Sequence, residues 1–244
     1  MPHKEIHVEF TPDRFPPFPK DPQFPTVQLQ TISLKKLEDG DEAEQTRAFE
    51  AFKTRGFVYL ELGGTEKGET ILHGADDVAR AAEQTFALPV DEKLKYQPRE
   101  KELFGYSTHI LLSCCHTPAK NYKNSYKRVG ATNADKSGTP DTAEFFNCSK
   151  NDMIVLDAQM SRQWPPVILE HKPLFASYSK AAHATGLLIM DILADKLGID
   201  RKEIRRRHVL EDQSGDHIRF TRGPPRKTAE MPEIQTPSHT DFGT

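Results

Sequence analysis

Cysteine is scarce in this 244-residue chain, which has only Cys114, Cys115 and Cys148. An odd, sparse set does not build the disulfide framework of a small secreted domain, and it points to a reducing, cytoplasmic setting. Adjacent Cys114 and Cys115 bridge poorly, and no second cysteine pair completes a zinc site, so all three are read as ordinary thiols. Long hydrophobic runs are missing too. No stretch approaches the roughly 20 apolar residues that cross a bilayer, and Met1 to Lys20 is charged and proline-rich with no hydrophobic signal core. The chain is therefore expected to be soluble and unexported. Nor does one sign of charge dominate: 33 basic side chains stand against 36 acidic ones, a formal net charge of −3. That balance argues against a nucleic acid or a membrane surface as partner and for a small molecule. Tyr59, Tyr106 and the basic residues are not interleaved in one basic stripe, so they do not make a nucleic-acid platform.

What the chain does contain is punctuation and periodicity. Pro12, Pro16, Pro17, Pro19, Pro22 and Pro25 deny backbone donors and favour extended geometry, so residues 1–25 read as a proline-rich arm. Thr26 to Ile32 alternates apolar and polar residues and predicts a strand. Glu42 to Arg55 clusters Ala48, Phe49, Ala51 and Phe52 on one helical side, with Gly56 as a stop before a strand at Phe57 to Leu60. A helix is predicted from Ala75 to Phe86, with Ala79, Ala82 and Phe86 inward and Pro89 beyond its end, and a further turn at Asp91 to Lys95. Asn121 to Ser149 reads as loops around a short strand at Glu144 to Cys148. The strongest helical periodicity runs from Leu174 to Leu197, closed by Gly198. A polar helix follows at Arg201 to His208. Its Arg205-Arg206-Arg207 run is a solvated face balanced by Glu203, Glu211 and Asp212 rather than a phosphate patch. His217 to Thr221 then reads as a strand, broken by Gly223-Pro-Pro225.

The residues that carry chemistry are His239 and Asp241, within Ser238-His-Thr-Asp-Phe-Gly-Thr244. Two positions apart on a strand, both side chains point to one side and can reach one metal ion. An imidazole and a carboxylate, completed by a second imidazole, form the facial set that holds iron(II) with open positions for cosubstrate and oxygen. Taken alone, His-x-Asp is a weak pattern, and a surface turn is the competing explanation.

The surrounding landmarks add to it. Ala51-Phe-Lys-Thr-Arg-Gly-Phe-Val-Tyr-Leu60, Phe86-Ala-Leu-Pro-Val-Asp-Glu-Lys-Leu-Lys95, Gly105-Tyr106, Glu144-Phe-Phe146, Trp164-Pro165, Leu197-Gly198 and Ile218-Arg-Phe-Thr-Arg-Gly-Pro-Pro225 fall in a fixed order ahead of the metal motif. In this order the sequence resembles the isopenicillin N synthase-like and Fe(II)/2-oxoglutarate-dependent dioxygenases, from about Thr26 to Thr244.

The resemblance implies an α+β fold, with a helical N-terminal region packed on a double-stranded β-helix, a cupin-like jelly roll. It implies three parts: the arm, residues 26–155 as the N-terminal region, and residues 156–244 as the long helix and first barrel strands. It implies iron(II), 2-oxoglutarate and O2, with His239 and Asp241 as iron ligands and oxidation of a small organic, secondary metabolite as the reaction.

In the family a third histidine and an Arg-x-Ser cosubstrate element come several tens of residues after His-x-Asp. The expectation is thus a C-terminally truncated member whose barrel is incomplete, with self-association or a partner chain through unpaired strands. Whether such a chain is an enzyme stays open, with an inactive binding or interaction protein as the alternative. His217 is the nearest earlier histidine, but the resemblance puts it at the start of a preceding strand. Gly223 stands where many relatives carry a cosubstrate-contacting tyrosine, and the flanking Thr221 and Arg222 are the candidate cosubstrate residues. Tyr106, Thr108 and Asn121 to Val129 line a substrate pocket or are simply solvated loop.

Overall fold

The computed structural model describes residues 27–97, 126–134 and 137–223. Within them the chain is a mixture of helix and sheet. Its elements in order are β1 (Thr31–Ser33), α1 (Leu34–Glu38), α2 (Glu42–Arg55), β2 (Tyr59–Glu61), α3 (Glu66–Ala87), α4 (Val90–Leu94), β3 (Tyr126–Lys127), β4 (Glu144–Ser149), α5 (Lys150–Ile154), a 3₁₀ turn (Asp157–Gln159), α6 (Pro166–Glu170), α7 (Lys172–Leu197), α8 (Arg201–Arg205) and β5 (His217–Arg222). Among the described residues no helix is long and apolar enough to cross a membrane.

By packing, the chain divides into two units. Among the described residues the first comprises residues 27–80 and 180–210, and the second residues 81–97, 126–134, 137–179 and 211–223. In the first, β1 and β2 pair in parallel, Ile32 opposite Leu60. Ile32, Leu37, Ala48 and Ile192 form an apolar core, against which Val58, Leu60 and Leu188 pack. The helix α2 begins where predicted because the Asp41 side chain accepts a hydrogen bond from the Glu44 amide at 2.9 Å. It stops at Gly56, whose φ of 75° is a left-handed conformation open to glycine. At the end of α7, Gly198 (φ 70°) turns the chain so that the Ile199 amide donates to the Ala194 carbonyl at 2.8 Å.

Two expectations need correction. The strand foreseen at Thr26 to Ile32 is confined to Thr31–Ser33, because its partner β2 offers only Tyr59–Glu61 to bond with. The helix foreseen from Ala75 starts earlier, at Glu66. Its start is set by Thr65, whose hydroxyl accepts from the Gly68 amide at 3.0 Å, and by Gly68 itself, where a Cβ would lie 1.8 Å from the Leu62 carbonyl oxygen. Inside α3, Ala81 and Thr85 are buried, while Ala79 and Ala82 are half-buried. Thr85 is tolerated there because its hydroxyl donates to the Ala81 carbonyl at 2.7 Å.

The second unit is organised by the antiparallel sheet β3-β4-β5. Strand β4 pairs along its whole length with β5, from Glu144 opposite Arg222 to Ser149 opposite His217. Phe146 is fully buried, with ring centroids of Tyr96, Tyr126 and Trp164 at 6.5, 6.3 and 6.2 Å. Phe175 packs on Phe220 at 5.8 Å. Trp164 is held by its indole N–H, which donates to Asp152 Oδ2 at 3.0 Å, while the Ser161 amide and hydroxyl donate to Asp152 Oδ1.

Candidate functional site

Side chains on a strand alternate between faces, so adjacent Thr221 and Arg222 part company at the end of β5. Arg222 shares its face with buried Phe220 and meets Glu144, its partner across the β4–β5 ladder. Its Nε donates to Glu144 Oε1 at 2.7 Å, a second guanidinium nitrogen also contacts that oxygen, and its cationic carbon sits 5.1 Å from the Phe86 ring centroid. Thr221 lies on the opposite face and is exposed.

Glu144 is 4 % exposed and gathers three donors. Besides Arg222, Lys93 Nζ reaches Glu144 Oε2 at 3.0 Å and the Tyr126 hydroxyl donates to the same oxygen at 2.6 Å. Lys93, 2 % exposed, also donates to the Phe86 carbonyl at 3.1 Å. Burial pushes the Glu144 carboxyl up, but hydrogen bonds from Tyr126, Lys93 and Arg222 outweigh it and leave the group below the ordinary glutamate value. Burial, and then donation to Glu144, holds the Tyr126 phenol well above its ordinary range. Two cations thus share one carboxylate, and the cluster carries a surplus positive charge at the end of β5.

A second buried pair lies in the same unit. Lys127 and Asp141 form an ion pair, with Thr132 Oγ1 donating to Asp141 at 2.6 Å and the Gly130 amide at 2.9 Å. Burial opposes ionisation of Asp141, yet these donors keep its carboxyl below the ordinary value. Cys148 is fully buried, and that burial pushes its thiol far up, so it is an inert core residue as the sequence suggested.

The likeness to known proteins gives this geometry a context. The family described as "non-haem dioxygenase in morphine synthesis N-terminal" matches residues 24–111. A 2-oxoglutarate-dependent dioxygenase of Aspergillus fumigatus is 27% identical over 233 residues, 94% of this chain and 54% of that protein. Another protein of that name, from Gibberella zeae, is 26% identical over 223 residues, 90% of this chain and 58% of its own. The chain is similar to proteins named 2-oxoglutarate-dependent dioxygenases. It spans about half the length of the curated dioxygenases it matches. A solved structure assigned to the 2OG-Fe(II) oxygenase family, from Caulobacter crescentus, superposes with a TM-score of 0.50 at 16% identity, covering 74% of this chain and 52% of that one. That likeness concerns the fold alone. Iron(II) and 2-oxoglutarate are the cofactors named for these dioxygenases.

Of the dioxygenase residues anticipated from sequence, His239 and Asp241 lie outside the described residues, as do Tyr106, Thr108 and Asn121 to Ser125. Among the described residues no group of three or more His, Cys, Asp or Glu side chains is placed to hold a metal. The donor chemistry of His239 and Asp241, one neutral imidazole and one carboxylate, suits iron(II). Thr221 and Arg222 both fall at the end of β5, and His217 begins that strand, as expected. The Glu144 cluster was not foreseen. Lys93 and Glu144 had been noted only as members of landmark segments, and the signal that could have singled them out is a charge set among apolar neighbours.

Proposed function

We propose that this chain forms the iron-binding and N-terminal part of an Fe(II)/2-oxoglutarate-dependent dioxygenase that oxidises a small organic metabolite, with β3-β4-β5 belonging to a jelly-roll core. The observation that carries the reading is the similarity, over nine-tenths of the chain, to proteins named 2-oxoglutarate-dependent dioxygenases, in a sequence that contains His239-Thr-Asp241.

In this reading His239 would give an imidazole nitrogen and Asp241 a carboxylate oxygen to iron(II), which when bound would supply the oxidising chemistry that consumes 2-oxoglutarate and O2. Arg222 contributes positive charge toward the cosubstrate, with Glu144 fixing the guanidinium from the core side. Thr221 lies on the other face of β5, so the two residues do not both meet one cosubstrate, and the role is assigned to Arg222. Lys93 and Tyr126 in turn hold Glu144, so the strand end is braced before any anion arrives.

The test is iron(II) affinity of the purified chain, together with iron-dependent succinate formation from 2-oxoglutarate. His239→Ala and Asp241→Ala should each weaken iron(II) binding by at least about 100-fold, since even outer-shell changes cost 10–100-fold. Iron affinity indifferent to both substitutions would overturn the reading.

A further inference from the structure

The short helix α4 carries its apolar residues outside and its cation inside. Val90 and Leu94 are 61 % and 38 % exposed, whereas Lys93 is 2 % exposed and turned into the core. A lysine there costs desolvation and rotamer freedom that an apolar residue would not. Packing therefore does not explain Lys93, and its charge is the property to account for.

The Lys93 ammonium donates to the Glu144 carboxylate and to the Phe86 carbonyl, and it stands 5.4 Å and 6.0 Å from the ring centroids of Tyr126 and Phe86. The carboxylate is divided between two sides. Its Oε2 serves Lys93 and Tyr126, and its Oε1 serves Arg222, whose side chain is 53 % exposed. Without Lys93, Glu144 and Arg222 would be a neutral one-to-one pair. With it, two cations face one carboxylate, and Arg222 is the cation of the two that reaches solvent. Glu92, next to Lys93 in sequence, does not offset the surplus, because it pairs with Lys95 and accepts from the Tyr96 hydroxyl at 3.2 Å. Arg128 adds further positive charge, felt at Tyr126.

We propose that Lys93 is a positioning residue for an anion held at Arg222: by drawing on Glu144 from the core side, it leaves the Arg222 guanidinium with unneutralised positive charge toward solvent. Naming that anion as 2-oxoglutarate rests on the dioxygenase reading; the role of Lys93 does not.

Charge, not shape, is what the test varies. Succinate, a dianion that needs no iron, is titrated calorimetrically into the full chain. The cluster carries one surplus charge in the unaltered protein, none in Lys93→Met, two in Glu144→Gln, and one again when both are replaced. Affinity should follow that count by about fivefold per charge, the effect of a unit charge roughly 8 Å away in a dielectric between those of protein and water. Adding Glu144→Gln to Lys93→Met should thus restore succinate binding to within about twofold of the parent. Lys93→Arg keeps the charge and should bind as the parent does. Lys95→Met removes the same charge from an exposed position and should change affinity by less than about twofold. A purely structural Lys93 predicts the opposite, a double variant at least as impaired as either single one.

Circular dichroism establishes that the variants are folded. If Lys93→Met fails to fold, the step from Glu144→Gln to the double variant removes the same lysine and should show the same fivefold loss, about one charge's worth. Affinity indifferent to Lys93→Met, affinity unrestored in the double variant, or succinate binding that survives Arg222→Gln overturns the proposal. Iron(II) affinity is read separately. The ladder of succinate affinities in a chain that binds no iron(II) would fail the dioxygenase reading alone, and iron(II) binding without the ladder would fail the role of Lys93 alone.

Discussion

The two units handle buried charge differently. In the first, each buried carboxylate is matched to an arginine that keeps contact with water: Glu44, 3 % exposed, pairs with Arg47, and Asp191, 2 % exposed, accepts from Arg205 Nε at 3.1 Å. In the second, two pairs have both members buried, Lys93 with Glu144 and Lys127 with Asp141, and Glu144 meets the exposed Arg222 in addition. The difference shows what each pair is for. When such a carboxylate is removed, its exposed arginine recovers water at modest cost. A pair enclosed on both sides leaves an uncompensated charge when broken, so it is retained only where every remaining donor and acceptor is also satisfied. Glu144, with three donors, and Asp141, with Lys127, Thr132 and the Gly130 amide, meet that condition.

The comparison breaks most readily at Glu144. Glu144→Ala strands Lys93 in the core and should destabilise the protein by about 3–5 kcal/mol, measured by chemical denaturation. Replacing both partners, Lys93→Met with Glu144→Leu, should recover most of that loss, because a well-packed apolar pair is often as stable as a buried ionic one. A double variant no better than the single one would show that the charge itself is not what the site needs compensated.

A gentler test uses acid. Both Glu144 and Asp141 have folded-state pKa values below their ordinary ones. Their contribution to stability is therefore fully present above the ordinary carboxylate value, about 4, and is lost as pH falls through the depressed folded values. Denaturation midpoints of the unaltered protein should fall steeply below about pH 4. Glu144→Gln and Asp141→Asn should each be less stable near neutrality and show a shallower acid limb, so the gap to the parent closes as pH drops.

How much of this was legible depends on the range of the determining interaction. The bounds of α2 could be read because Asp41 caps it within three residues and Gly56 ends it. The strand β5 was legible because Ile218 and Phe220 alternate with polar residues, whereas β4 carries an adjacent aromatic pair, Phe145-Phe146, rather than an alternation. The start of α3 was not, since Thr65 and Gly68 set it through a cap and a close backbone approach rather than through apolar spacing. Lys93 and Glu144 stand 51 residues apart, and no local pattern announces such a pair. Of the candidate site, Thr221 and Arg222 were located on their strand, but their division between two faces follows from the β4–β5 register, which the sequence does not state. His239 and Asp241, read from the sequence as iron ligands, lie outside the described residues.

In the first unit the same manipulations should have smaller effects. Asp191→Asn keeps the side-chain shape and some hydrogen bonding to Arg205, and should cost about 1–2 kcal/mol, well short of Glu144→Ala. At the bottom of the scale stands Glu50, which pairs with Lys53 at 3.5 Å with half of each side chain or more in water. The Coulomb gain there is divided by a high dielectric and offset by the entropy of ordering two long side chains. Glu50→Gln should therefore change stability by less than about 0.5 kcal/mol, and the small difference should vanish in 1 M salt, where the screening length falls to about 3 Å. An effect that exceeded that of Asp191→Asn, or that resisted salt, would mean that exposure does not rank the charges of this protein, and the contrast between its two units would lose its basis.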